Sequence, residues 1–391
     1  MTKEIIHISH TNINWDYRIL KELEAVSLVE DANITAIGVE FTEGQVEIDI
    51  DRDNINIETI TLLTKKLQKT ILPGFIRQPL VFIELALKMT YGVVRKKPHI
   101  VHCHDAIALP IGWICSILTG SKLIYDAHEL MSDKQGNDFI SRFYIKIVEK
   151  VCWSKVETLI SVSDSIISWY RDKYGKKRFL TILNSPPREL YEEMAEGVVQ
   201  DHNYLRKKFD IPENHIIFLF VGQFMGGRSI ELFLKIFEQE LHNSHLILLG
   251  FGEGEILETI QETSSRCSNI HLHDAVAHNE VISIAKNADY GLCFIQNVSL
   301  SDWYSLPNKL FEYLLSGLPV LASNCPEIMK MIKQYRAGEC LEPNEENLVK
   351  KIRELELKKP LRVDTDRSEI TWEFQAKKLQ EEYKILLSRP N

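Results

Sequence analysis

The seven cysteines of this 391-residue chain (Cys103, Cys115, Cys152, Cys267, Cys293, Cys325, Cys340) are scattered, mostly inside apolar runs, and no CxxC pair occurs. A disulfide framework and a zinc knuckle are therefore not expected, and a reducing, cytoplasmic setting fits. Basic excess is also lacking. With 46 Lys and Arg against 55 Asp and Glu the net charge is −9, the wrong sign for a general nucleic-acid binder, so no nucleic-acid partner is expected. No apolar run reaches membrane-span length without a charge or a turn breaking it. The nearest, AIALPIGWICSILTG at 106–120, contains Pro110 and Gly112 and reads as a buried helix. The opening MTKEIIHISH enters a strand pattern at once, without an apolar signal region. No GxGxxG follows a strand and no Walker lysine pattern occurs, which argues against a dehydrogenase or a P-loop enzyme. Neither a repeat period nor a low-complexity tract is found.

What the sequence does have is an alternation of short β-branched runs with helical patterns. Strands are expected at 4–9, 34–40, 100–105, 122–127, 158–163 and 179–185, with a helix at 15–29. The rhythm lapses in the polar, proline-containing stretch 184–215 and restarts at IIFLFVG, 216–222. Strands at 245–252, 269–274, 290–295 and 338–343 follow, with helices at 229–240 and 279–287 between them. Two doubly wound α/β domains result, 1–190 and 216–370, joined by a linker at 191–215. An amphipathic helix, 371–391, follows both. In such sheets ligands bind outside the carboxyl ends of the strands, so functional residues are sought there.

Three strand ends carry chemistry. HCHDA (102–106) and YDAHEL (125–130) each end in histidine plus carboxylate. A single such histidine is usually a helix cap or a sheet hydrogen bond; two consecutive strands ending this way favour a site. A metal is not expected, because no two ligands fall at i, i+4 spacing on a helix. VGQFMGGRSIELF (221–233) ends a strand in Gly222, turns through glycines, and places Arg228 before a helix, an arrangement suited to phosphate. An exposed arginine in an ordinary strand–helix connection explains that stretch almost as well. SLPNKLFEYLLSGLPVLASNCPE (305–327) combines Ser305 as an expected N-cap, Pro307 in the first turn and Gly317 as a stop. Leu310, Phe311, Leu314 and Leu315 form its core face, with Lys309, Glu312 and Ser316 opposite. A Lys–Glu pair three apart is ordinarily a weak surface pair, worth roughly 0.2–0.5 kcal/mol.

Taken together these segments resemble retaining glycosyltransferase family 4, which has the GT-B fold. The resemblance runs over nearly the whole chain, including VHCHD, KLIYDAHEL, VGQFMGGRSIELFL, LILLGFGEGEILE, ADYGLCFI and, most specifically, YSLPNKLFEYLLSGLPVLASNCPE. It implies a nucleotide-sugar donor in the second domain, with Glu312 accepting from the ribose hydroxyls and Arg228, Lys309 and Gly222 at the diphosphate. Tyr304, Ser305, Leu306 and Asn308 would adjoin the donor sugar. His128, Glu129 and Asp105 would be catalytic, and His104, Asp16 and Arg18 would lie on the acceptor side. Neither a cofactor nor a metal is implied. DIDRD at 49–53 resembles the acidic triplets of metal-using transferases but reads as surface.

Two departures from the family pattern stand out. Gln223 follows Gly222 where an arginine is usual, and Tyr304 stands where a first glutamate is common. Asn297, Ser299, Ser301 or Asp302 are then alternative donor contacts. The expected activity is metal-independent transfer of a sugar, from UDP above other nucleotides, to a saccharide or lipid-linked acceptor in surface polysaccharide synthesis. Alternatives are a nucleotide-sugar epimerase or hydrolase, or a non-catalytic partner subunit. A peripheral contact with the inner face of the membrane is a candidate role for 75–99, which ends in Arg95, Lys96 and Lys97.

Overall fold

The computed structural model describes residues 2–40, 53–66, 73–187, 201, 203–239, 241, 243–358, 362–363 and 366–389. The chain forms two compact units, residues 1–182 with 375–391, and residues 183–374.

The first unit runs β1 (Lys3–Ile8), α1 (Tyr17–Ser27), β2 (Ala32–Val39), β3 (Ile55–Ile60), α2 (Gly74–Val94), β4 (Ile100–His104), α3 (Asp105–Thr119) and β5 (Lys122–Ala127). It continues through α4 (Phe139–Cys152), β6 (Val156–Ser161), α5 (Asp164–Tyr174) and β7 (Arg178–Thr181). The described strands form one parallel sheet in the order β3-β2-β1-β4-β5-β6-β7. Its central strands are buried along nearly their whole length, which is why they read as continuous apolar runs. Strand order reverses between β1 and β4, and a crevice outside the strand ends is expected there. The register sets Ile8 beside Cys103 and His104 beside Asp126, so the polar ends of β4 and β5 finish level.

The second unit runs α6 (Tyr204–Phe209), β8 (Ile216–Phe224), α7 (Ile230–Gln239), β9 (Ser244–Gly252), α8 (Glu255–Arg266), β10 (Ile270–His273) and α9 (His278–Ala285). Then come β11 (Tyr290–Cys293), α10 (Leu300–Trp303), α11 (Asn308–Ser316), β12 (Val320–Ser323), α12 (Pro326–Tyr335), β13 (Gly338–Leu341) and α13 (Glu345–Glu356). Its described strands are again parallel, in the order β10-β9-β8-β11-β12-β13, with the reversal between β8 and β11. The last helix, α14 (Trp372–Ser388), contributes its residues from Gln375 onward to the first unit. There Glu382 accepts from Arg178 at 2.6 and 2.8 Å and Tyr383 is wholly buried.

Several expectations need correction. The linker does not extend to 215: Leu205 and Ile211 are buried in the second unit's core, and Arg206 pairs with Asp289 at 3.0 Å. β3, INIETI, went unread because polar residues alternate along a half-exposed edge strand. Ser305 does not cap α11; Pro307 occupies the cap position and the Ser305 hydroxyl donates to the Asp302 carbonyl at 2.8 Å. In the basic triplet, Arg95 and Lys96 lie 3.6 and 2.9 Å from Glu58, so two of the three charges are partnered within the unit. The helix read as buried, now α3, exposes Ile114, Ile117 and Leu118 on its outer side. Residues 49–52 of the acidic stretch lie outside the described residues.

Candidate functional site

The first unit gathers its polar side chains at the ends of β1, β4 and β5. Asp126, wholly buried, accepts from Arg18 Nη2 at 3.1 Å and from Nε at 3.3 Å. Glu22, one turn along α1, lies 3.1 Å from the same Nε; the Nε–H is directed at Asp126, and the buried Glu22 carboxyl is left without a hydrogen bond. Burial works against the Asp126 anion, but Arg18 and His128 outweigh it and hold its carboxyl well below the usual range. Burial and the adjoining Asp126 instead push Glu22 up to about 8, so at neutral pH it holds a proton.

From Asp126 a chain of rings crosses the sheet. His128 Nε2 lies 3.2 Å from both Asp126 Oδ2 and His104 Nδ1. His104 Nε2 is 3.0 Å from His7 Nδ1, and His7 Nε2 is 3.0 Å from the Tyr383 hydroxyl, which is 2.7 Å from His102 Nδ1. One assignment of protons satisfies every link: His128, His104 and His7 each donate through Nε2, and Tyr383 donates to His102. Burial, reinforced by His104, holds His7 and His102 well below 6.5, in the neutral form this chain requires. His128 differs. Burial opposes its charge, but Asp105 and Asp126 together overcome that and raise it to about 9. Its other nitrogen faces Asp105 at 3.7 Å. Asp105 adopts φ +65, sparsely populated for a residue with a side chain, and its Oδ1 is buried without a partner. Asp105 thus combines an uncommon backbone conformation with an orphaned carboxylate oxygen. His10, passed over in the sequence, stands nearby with a buried, unpartnered Nδ1 and a pKa lowered first by burial.

Two sets of groups here, His7–His102–His104 and Glu22–His102–His104–Asp126, bring ligand atoms within 4.8 Å of one another. They do not suit a cation as arranged. The Arg18 guanidinium lies on Asp126, and the ring nitrogens of His7 and His104 are spent on one another and on their neighbours.

The other first-unit candidates separate. Glu129 leaves the cluster and pairs with Lys134 at 2.5 Å. Asp16 caps α1, its Oδ1 accepting from Ile19 N at 3.2 Å. Arg18 is only 5% exposed and spends its guanidinium on Asp126, Glu22 and the Ile182 carbonyl. As an acceptor contact it is overturned; it holds Asp126 in place.

Of the second unit's candidates, Gly222, Arg228, Asn308, Lys309 and Glu312 line a cavity of about 580 Å³, within the range of small-molecule sites. One wall is the end of β8 against β9, where Gly222 pairs with Gly250. A Cβ on Gly250 would lie 1.9 Å from the Gly222 carbonyl oxygen, and Gly222 itself adopts φ +122. The two glycines let the strand ends close up, bringing Gly222 against the Lys309 stem. Lys309 and Glu312 come from the first turns of α11, and Arg228 from the turn before α7.

This charged pair is poorly partnered within the protein. The Lys309 ammonium sits 3.3 Å from the centroid of the Phe220 ring, with no carboxylate in ion-pair range among the described residues. Burial, with Arg228 adding to it, lowers Lys309 to about 7. Glu312 is buried and meets His278 Nδ1 at 3.5 Å; burial raises it to about 7 against the pull of Lys309. Arg228 lies 3.8 Å from Asp302, whose carboxylate accepts from Ser299 at 2.6 Å, so two of the alternative donor residues hold each other. Next to Arg228, Ser229 has φ +60 and a buried hydroxyl without a partner, a detail no sequence pattern gives.

Among the donor-sugar candidates, Asn308 lines the cavity beside Pro307. Leu306 does not serve: its side chain is packed into the core of the unit. Tyr304 ends α10 and is half-buried, and Ser305 is engaged with Asp302.

No curated protein sequence matches the chain. Solved structures do match in fold over nearly its full length. Sucrose-phosphate synthase from Thermosynechococcus elongatus aligns with a TM-score of 0.74 at 15% identity, covering 99% of each chain. HepE from Anabaena, crystallised with UDP-glucose, aligns at 0.69 and 12% identity over 98% of this chain and 99% of that one. WaaG, a glycosyltransferase involved in lipopolysaccharide biosynthesis, aligns at 0.64 and 15% identity over 97% and 95%. The architecture is thus GT-B, two Rossmann-like α/β units with parallel sheets. Residues 201–371, which hold all the cavity-lining side chains described above, match the family model for glycosyl transferases group 1.

Proposed function

We propose that the protein is a retaining, metal-independent glycosyltransferase that moves a sugar from a UDP-sugar to a saccharide or lipid-linked acceptor in surface polysaccharide synthesis. The observation that carries this reading is the pair Lys309, half-buried, and Glu312, buried, at a cavity wall without adequate partners of their own. A partly desolvated ammonium that lacks a counter-ion is costly, and a bound diphosphate relieves it. Lys309 and Arg228 would meet the two phosphates and take up the charge that grows on the leaving group as the glycosidic bond breaks. The Glu312 carboxylate, accepting only, suits two vicinal ribose hydroxyls. That residues 201–371 match glycosyl transferases group 1, and that HepE was crystallised with UDP-glucose, support the donor class.

In the first unit, His128 carries its proton at neutral pH and so acts as a cationic hydrogen-bond donor to a sugar oxygen rather than as a general base. Asp105 and Asp126 hold that charge. His104 fixes the ring from the far side and does not itself meet the acceptor.

A panel of UDP-, GDP-, ADP- and CMP-sugars read by thermal shift tests the assignment. A UDP-sugar should stabilise the protein, and Glu312→Ala should abolish the stabilisation. Transfer that continues unchanged in Glu312→Ala or His128→Ala would overturn the site.

A further inference from the structure

Three neighbouring helices of the first unit carry apolar side chains where solvent should be. On α2, Ile76, Leu80, Ile83, Leu87 and Tyr91 recur at three- and four-residue steps and are all exposed, Leu87 by 69% and Tyr91 by 72%. On α4 the exposed row is Phe139, Ile140, Phe143, Tyr144, Ile147 and Val151, with Phe139 at 82%. α3, which packs against both, adds Ile114, Ile117 and Leu118. Scattered exposed leucines are ordinary; a stripe on each of three adjoining helices is not.

The rotation of α4 is fixed from inside. Glu149, wholly buried, accepts from the hydroxyls of Tyr125 at 3.0 Å, Tyr170 at 2.5 Å and Tyr174 at 3.1 Å. Ile145 and Cys152 are buried on the same side. The helix cannot roll its aromatic row inward without breaking this cluster, so the exposure is built into the fold.

Charge identifies the occupant. Beside the apolar row α4 bears Lys146 and Lys150, with Lys155 just past its end; Arg142 is held by Asp133 at 3.4 Å, and the acids of the helix are its cap Asp138 and the buried Glu149. From Phe139 to Lys155 this outer face carries lysines and no exposed acid, on a protein of net charge −9. A second copy on this face would set lysine row against lysine row across a two-fold axis. Apolar and aromatic side chains flanked by cations instead fit a bilayer whose headgroups are anionic.

We infer that the outer face of α2, α3 and α4 docks on an anionic lipid bilayer, the α4 row entering the headgroup–acyl boundary and Lys150 and Lys155 meeting lipid phosphates. No described helix is long and apolar enough to cross a membrane, so the contact is peripheral. The inference does not depend on the glycosyl-transfer reading. It moves the contact from the basic end of α2, where Glu58 already holds two charges, to α4.

The test is cosedimentation of the full chain with vesicles of phosphatidylcholine alone or mixed with phosphatidylglycerol, at low and raised salt. Capture should need phosphatidylglycerol and should weaken with salt. Lys150→Glu with Lys155→Glu should cut capture about tenfold or more, and Phe139→Ser with Phe143→Ser should abolish it, whereas Phe143→Leu should retain it. An unchanged melting temperature establishes that each variant folds; should the serine variant unfold, the charge-reversed one, altering only exposed side chains, decides the matter. No capture by anionic vesicles, or capture that survives charge reversal, overturns the inference. So does a two-copy mass in solution that Phe143→Ser reduces to one.

Discussion

In the first unit the buried Asp126 faces Arg18, and the rings of His128, His104, His7 and His102 are joined through Tyr383 into one hydrogen-bonded chain. In the second unit, by contrast, the half-buried Lys309 has a ring beneath it and no carboxylate in range among the described residues, and the buried Glu312 has one distant histidine. Both units place charge near the ends of parallel strands, yet Asp126 has a close counter-charge of its own and Lys309 has none among the described residues. A buried charge paired within its own unit can position a group, here His128 beside Asp105 and Asp126. A poorly partnered pair at a cavity wall is instead what a donor-binding site is expected to show.

The comparison can be broken from either side. The largest effect is expected in the first unit. Asp126→Asn leaves the buried Arg18 guanidinium with Glu22 as its one carboxylate and His128 with Asp105 alone, and should cost about 3–5 kcal/mol, read as a lower urea midpoint. Lys309→Met should do the opposite to the empty protein, leaving the melting temperature unchanged or higher, while weakening UDP by about 1.5–3 kcal/mol in calorimetry. Equal stability losses in the two variants would erase the distinction between the units.

A finer effect is the pH dependence of donor affinity. The diphosphate needs Lys309 as ammonium, and in the empty site this group is lowered to about 7, so above that pH binding must take up a proton and affinity falls. The ribose needs Glu312 ionised, and that group is raised to about 7, so below that pH binding must release a proton and affinity falls as well. UDP affinity should therefore peak near neutrality. Lys309→Arg should flatten the alkaline limb alone and Glu312→Gln the acid limb alone, as followed by calorimetry across pH. The smallest expected effect is that of Glu129→Gln, whose partner is the exposed Lys134: stability should change by less than about 1 kcal/mol.

Much of the architecture was legible in the sequence because parallel strands buried on both faces appear as unbroken β-branched runs, as in IVHCH and IIFLFVG. β3 escaped because an edge strand need not be apolar, and α6 because a six-residue helix in a polar stretch has little periodicity. Of the sites, Lys309 and Glu312 could be placed on one helix face from spacing alone. That they lie in a cavity with Gly222 and Gly250 required the β8–β9 register. The histidine chain was half legible: HCHD and YDAHEL named His102, His104, Asp126 and His128. His7 comes from β1 and Tyr383 from the last helix, 376 positions apart, and no local pattern joins them. Arg18 and Leu306 were misplaced for one reason, since a position along the chain does not say whether its side chain points to the core or the crevice.

The central claim, that Glu312 serves a ribose and not the fold, is most directly tested by titrating UDP and its 2′,3′-dideoxy analogue into the wild type and Glu312→Gln by calorimetry. The substitution should weaken UDP about tenfold or more while leaving the analogue's affinity unchanged. Equal loss for both ligands, or for neither, would contradict it.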